Sequence, residues 1–343
     1  MLLKATRFGA LPYNHPPFEA LAFVPLSRIP YFAAYLLWDF ANLLILFGLP
    51  FVLRPQIPVL QRTPVFWFPL AAVAFFPIFI ALLQGQDIIL LLLLFALVYV
   101  ALKENAEFSA GCWLGLGLFR FHLVLPLILI LCLQKKRRAI LGFLTVATGL
   151  GLISIAVVGW KGALAYPGYV WHLEAIGGHG SIVPADMPNL RGLVATTLAR
   201  RASHFVSDGL IALLSIGLFL FVSAKWKITA ADPTFDLGFS LATVATVLAS
   251  YHAFAYDLSL LLLPVLLLVN HLETTASCRG RRRFMLLGPI FVLFFSPLQM
   301  ILRFRYGQLN LLALALLFLL WGIAREISER RVEGCSFQSV LDH

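Results

Sequence analysis

Long, uninterrupted apolar runs recur along this chain, many near the ~20 residues an α-helix needs to cross about 30 Å of hydrocarbon. Hydrophobic residues make up 61% of the sequence and charged ones 12%, against roughly 25% charged in a soluble domain. So much apolar surface cannot be hidden inside one water-soluble core. In hydrocarbon every backbone polar group must be satisfied internally, which leaves helices or closed barrels. The strict in/out alternation of barrel strands is absent and the runs are too long for them. The sequence therefore predicts an all-α, polytopic transmembrane helical bundle.

Near the start, Tyr13-Asn14-His15-Pro16-Pro17-Phe18 opens a stretch, 15–29, that is too short to span. Proline at its beginning suits a short interfacial or re-entrant helix. Spanning candidates cover about 31–53, 65–84, 87–102, 139–158, 208–224, 235–251, 254–272, 284–302 and 307–324. The run 108–134 is interrupted by Gly115, Gly117, Arg120, His122 and Pro126. As one helix it would place an arginine near the bilayer midplane, at about 2.5–3.5 kcal/mol on insertion scales. As two short passes meeting at Arg120–His122 it returns both groups to an interface. Loop charge selects the split: the basic clusters Lys135–Arg138, Arg279–Arg283 and Arg325–Arg331 belong on the cytoplasmic side. Only the split brings Arg54, Arg62 and Lys103 there too. The expectation is about eleven passes with a broken hairpin at 108–134. An extracytoplasmic loop over 159–207 would hold an amphipathic helix at 189–205, and one domain, 1–325, would be followed by a cytoplasmic tail, 326–343. Residues 1–12 contain neither a signal-peptide core nor a span, so a first pass preceding them is expected.

The net charge of +10 would suggest nucleic acid for a soluble protein, but here the basic residues sit in short loops between apolar runs, where they set orientation. No nucleic-acid partner is expected. Cys112, Cys132, Cys278 and Cys335 have no C-x-x-C spacing and read as small apolar or free-thiol residues. Gly115-x-Gly117 lacks the strand–turn–helix context of a nucleotide fingerprint. His172, Glu174 and His179 fit no standard zinc spacing. Neither metal nor cofactor is expected.

Against this apolar background, His15, Gln86, Arg120, His122, Asp186, Arg191, His252 and Asp257 gather on the face that loop charge makes extracytoplasmic. Arg120 and His122 could recognise phosphate, because a guanidinium fork matches its oxygens and an imidazole can donate beside it; snorkelling to headgroups is the alternative. Asp257, with Tyr251, His252 and Tyr256, could line a cavity for sugar hydroxyls or phosphate, or Asp257 could simply cap a helix. Capping explains Asp87 equally well, and Gln86 less so. Asp186, Asn189 and Arg191 could bind sugar hydroxyls or a diphosphate, or belong to a solvated loop.

A family resemblance rests on several segments in order. These are Tyr13-Asn14-His15-Pro16-Pro17-Phe18, Leu37-Trp38 with Asn42-Leu43-Leu44, and Gly85-Gln86 opening a span. Then come Ala110-Gly111 through Leu114-Gly115-Leu116 into Arg120-Phe121-His122, and Tyr256-Asp257-Leu258 with Leu261-Leu262-Leu263-Pro264. Over roughly 10–325 the chain resembles glycosyltransferase family 87, of the GT-C membrane glycosyltransferases. The resemblance implies transfer of a sugar, typically mannose, from a polyprenyl-phosphate donor to a glycolipid or glycan acceptor at the outer face of the bacterial inner membrane. It also implies inversion and no nucleotide sugar. Arg120, His122 and His252 would hold the donor phosphate. The family's catalytic aspartate lies in a first outer loop ahead of the Pro-Pro segment, where this sequence has no acidic residue; Asp257 is the weaker candidate. A lipid-linked-sugar flippase and a non-catalytic remnant of the enzyme are the competing readings.

Overall fold

The computed structural model describes residues 15–176, 183–198, 203–229, 231–275, 280–297, 301, 305 and 310–341. Among them there is no strand, in line with the all-α expectation. The chain enters through a short helix, α1 (Pro17–Phe23), with prolines at its start, and then the long α2 (Tyr31–Leu53). A one-turn helix, α3 (Pro58–Arg62), leads to α4 (Trp67–Ala74) and α5 (Phe76–Leu83). The predicted span 65–84 is thus two helices. Phe75 between them is extended (φ −73°, ψ 108°), because Pro77 has no N–H to offer and its ring clashes with a helical turn before it.

Next come α6 (Ile88–Lys103), α7 (Glu107–Leu116) and α8 (Phe121–Leu133). A 3-10 turn, Gly117–Arg120, joins the last two, and Arg120 is non-helical there (φ −113°, ψ 54°). The 107–133 stretch is 27 residues long, so a continuous helix would run about 40 Å. Glu107 at its start and Lys136 just past its end instead form a 2.7 Å ion pair. The stretch is folded back on itself at Arg120, as the charge pattern predicted.

α9 (Arg137–Ile176) is where the sequence reading departs most from the structure. It runs on through residues assigned to the 159–207 loop, kinked at Gly159 (φ 73°, ψ 167°). Glycine tolerates that backbone without a Cβ penalty, so the helix restarts after the kink and most of 160–176 is helix rather than loop. A short α10 (Leu190–Leu198) follows and forms the front of the amphipathic helix expected at 189–205; residues 199–202 of that stretch lie outside the described residues. Then come α11 (His204–Lys225), α12 (Phe235–Ala249), α13 (Leu262–Thr274) and α14 (Arg281–Phe294). Finally α15 (Leu311–Leu341) carries the last span through the predicted tail as one helix.

Six helical stretches among the described residues are long and apolar enough to cross a membrane by length and composition: the stretch folded into the hairpin, Ala255–Thr274 with α13, and one each within α2, α9, α11 and α15. α6 and α12 are shorter and sit innermost. Nearly every residue of α12 is buried, from Phe235 to Leu248, and its buried Ser240 and Thr243 hydroxyls bond back to carbonyls of their own helix. α6 packs on α2 and α7, and α12 on α8, α13 and α15. α9 and α11 are mostly exposed, presenting Leu152, Trp160, Leu213 and Leu220 outward, as lipid-facing helices do.

Interior helices meet through small residues. A Cβ on Gly111 of α7 would lie 1.9 Å from the Ala139 carbonyl oxygen of α9, and one on Gly142 would lie 2.1 Å from the Phe108 carbonyl oxygen. The hairpin can therefore rest against α9 only as glycine. The basic loops collect at one pole: Lys103 pairs with Asp236 at 2.7 Å, Lys136 with Glu107, and Arg282 with Glu326 at 3.0 Å. Arg331 donates to the Lys225 carbonyl. Asp87 and Arg120 lie at the other pole, one α6 length (about 24 Å) away. Gly111→Ala is expected to destabilise the protein by about 1–3 kcal/mol through overpacking. Gly149→Ala, with nothing within 4 Å, is neutral or slightly stabilising. Melting of the two variants in detergent measures the contrast.

Candidate functional site

The pole opposite the basic loops is built around Arg120. A tight turn at 84–87 feeds α6, made possible by Gly85 at φ +61°, where an added Cβ would meet the Tyr35 ring at 3.2 Å. Asn42 of α2 donates to the Gln86 carbonyl (3.3 Å) and pins the turn. Asp87 occupies the N-cap position of α6 but makes no capping hydrogen bond. It accepts from Arg120 Nε at 2.5 Å, and Gln86 Oε1 accepts from Nη2 at 2.6 Å.

On the far side, Asp257 in the 3-10 turn Ala255–Leu261 accepts from Arg120 Nη1 at 3.3 Å and from the Phe254 backbone N–H at 2.8 Å. Asp257 closes its own turn, as the capping reading has it, and also faces a cation. Arg120 also lies over the Tyr256 ring, 5.3 Å from its centroid. Arg120 is 3% exposed and Asp257 0%. A buried guanidinium survives only when its N–H fork is filled, and two carboxylates plus an amide oxygen fill it here.

His15 precedes α1 and its Nδ1 lies 2.8 Å from Glu19 Oε2, one turn along, and 3.9 Å from Asp87 Oδ2. Burial pushes the Glu19 carboxyl up to about 7; His15 pulls it down and Asp87 pushes it further up. His122, at the start of α8, and His252 meet edge to face with ring centroids 5.5 Å apart. His122 Nε2 is buried without a hydrogen-bond partner. His252 packs edge-on against Phe254 at 4.7 Å, and its carbonyl accepts from the Ser250 hydroxyl.

Asn189 and Arg191 hold that same segment from outside. Asn189 Nδ2 donates to the Ser250 carbonyl (2.7 Å), while its Oδ1 accepts from the Gly192 N–H. Arg191 donates to the Tyr251 carbonyl (3.1 Å) and stacks on the Tyr251 ring at 3.9 Å. Asp186 is exposed in the preceding 3-10 turn Pro184–Asp186. His172 is exposed on α9, whereas His179 and the Glu174 side chain lie outside the described residues. Beside the cluster, an apolar groove of about 360 Å³ runs between α1, the hairpin elbow and α9, lined by Pro17, Phe18, Leu118, Phe121, Leu150 and Trp160.

Six of the nine residues picked from the sequence, His15, Gln86, Arg120, His122, His252 and Asp257, thus converge. Asn189 and Arg191 support them through backbone. Sequence reasoning gives Glu19 no role and leaves Asp87 open between a cap and a functional group. The four-residue step from His15 to Glu19 was a legible helical pairing. No local signal joins Asp87 to Arg120, 33 residues on.

The architecture is that of a polytopic helical membrane protein with a buried ionised cluster at one pole. The model of glycosyltransferase family 87 matches residues 13–251. The chain belongs to that family of membrane glycosyltransferases. No curated protein and no solved structure matches it.

Removing Arg120 strands two buried carboxylates, so Arg120→Leu should lose about 3–5 kcal/mol, with part recovered on adding Asp87→Asn; thermal denaturation of single and double variants tests this. Glu19 gives a pH signature. The free carboxyl titrates near 4.5 and the folded one near 7, so in that window the folded chain keeps a proton that the unfolded chain releases. Stability contributed by Glu19 falls as pH rises through the window. Glu19→Gln removes the loss. In metal-free buffer the stability difference between variant and wild type should grow by on the order of 3 kcal/mol from pH 4.5 to 7.5.

Proposed function

We propose that this glycosyltransferase moves a hexose, mannose as the first choice, from a polyprenyl-phosphate donor to a lipid-linked or glycan acceptor at the outer face of the inner membrane. The supporting observation is the His122–His252 pair, seated against the Arg120 cluster at the pole opposite the basic loops. Basic loops mark the cytoplasmic side, so the histidines face outward, where a lipid-linked sugar would present its phosphate. The apolar groove passes Phe121, between Arg120 and His122, and suits the hydrocarbon end of such a donor.

In this reading the acceptor oxygen attacks the anomeric carbon as the bond to the phosphate oxygen breaks. The acceptor proton passes to a carboxylate base. Negative charge grows on the departing phosphate, and N–H donors already in place stabilise it without reorganisation. His122 and His252 supply those donors. Arg120 is held by Asp87, Gln86 and Asp257 and sets the positions of the elements that carry them. Asp257, with both oxygens engaged, holds the turn after His252. Asn189 and Arg191 fix the backbone before it, and Asp186 lies at the rim where an acceptor would arrive.

Reconstituted protein should transfer labelled hexose from synthetic polyprenyl-phosphate hexose and not from a nucleotide sugar. His122→Ala and His252→Ala should each lower the rate about 10²-fold or more, with melting close to wild type. Wild-type rates in both variants, or use of a nucleotide sugar, would overturn the reading.

A further inference from the structure

His15 Nδ1, Glu19 Oε2 and Asp87 Oδ2 converge from two separate elements, the entry to α1 and the turn before α6. One ligand atom from each of the three residues lies within 4.8 Å of the others. His15 stands 2.8 Å from Glu19 and 3.9 Å from Asp87. Around an octahedral ion with bonds of about 2.1 Å, neighbouring ligand atoms stand ~3.0 Å apart and opposite ones ~4.2 Å. The observed separations fall within or close to that range. One imidazole and two carboxylates are a donor set suited to a divalent ion that prefers oxygen and tolerates nitrogen.

A second observation is independent of the spacing. Asp87 is 6% exposed, and its Oδ2 is buried with no hydrogen-bond partner. Its other oxygen is taken by Arg120. An unsatisfied carboxylate oxygen inside a membrane protein is costly, and here it faces the His15 ring nitrogen at 3.9 Å, beyond hydrogen-bond reach. Charge leads the same way: Asp87 and Asp257 share the Arg120 guanidinium while Glu19 lies on His15, so three carboxylates meet a single permanent cation.

We propose that His15, Glu19 and Asp87 bind a divalent cation of the magnesium or manganese class. Three protein ligands leave the remaining octahedral positions to water or to oxygens of a bound anion. Asp87 would then bridge the cation and Arg120, giving two positive centres on either side of one carboxylate. A role for the ion in receiving the donor phosphate rests on the transferase reading; its binding does not.

Titration of the full chain in detergent with Mn²⁺, followed by loss of the free-ion electron paramagnetic resonance signal, tests the site. Wild type should bind one Mn²⁺ per chain, displaceable by excess Mg²⁺. His15→Ala and Glu19→Gln should each weaken binding about tenfold or more. Neither residue holds Arg120, so both variants keep the central ion pairs, and their melting curves verify this. Absence of stoichiometric Mn²⁺ binding in wild type, or unchanged binding in both variants, would remove the site and leave the transferase proposal standing. Intact Mn²⁺ binding without sugar transfer would do the reverse.

Discussion

One buried cation organises the upper half of this protein. Arg120 sits where an apolar run would otherwise continue as a helix, and its guanidinium reaches the turn before α6 and the turn before α13 together. Three distant stretches of chain are tied at a point where water is scarce. In such a place an unpaired charge is expensive, so the three stretches are held together or not at all. The hairpin elbow, the histidine pair and the entry to α1 all take their positions from this knot.

The rest of the bundle makes the knot possible. α6 and α12 are buried nearly all round and fill the centre. α9 and α11 turn large apolar side chains to lipid. Glycines let the hairpin lie close against α9, so that two helices too short to span singly are still enclosed. At the other pole the pairs Lys103–Asp236, Lys136–Glu107 and Arg282–Glu326 close the structure. Polar chemistry is thereby divided into two ends: one of ion pairs between basic loops and acidic partners, the other of buried carboxylates, histidines and an arginine beside an apolar groove. The second arrangement is the one that the proposed transfer from a lipid-linked sugar would use.

Much of this was legible in the sequence. The hairpin at Arg120 followed from the insertion cost of an arginine and from loop charge, and the Glu107–Lys136 pair shows the fold-back directly. The helical character of α2, α6, α11 and α12 followed from unbroken apolar runs. The reading failed where polarity was taken for irregular structure. Residues after Gly159 are more polar than a span, yet they continue as helix, because helix propensity does not require burial. It failed in the other direction at Phe75, where an apolar run concealed a proline break. For Asp87 the local capping rule explains the residue as well as function does; its partner Arg120 lies at the hairpin elbow, far along the chain. For Glu19 the four-residue step from His15 is legible in the sequence, but its burial is not, because a single acid in a short helix carries no signal of burial.

Composition, apolar run length and loop charge by themselves settled that the chain is a helical membrane protein with polar residues sorted to its ends, because those properties depend on solvent transfer and need no knowledge of contacts. The segments that resemble family 87 were equally present in the primary structure. Which carboxylates face Arg120, that His122 touches His252, and that His15, Glu19 and Asp87 meet were decided only by tertiary packing. Those contacts join residues from α1 to α13, and no local preference of the chain encodes a distance between them.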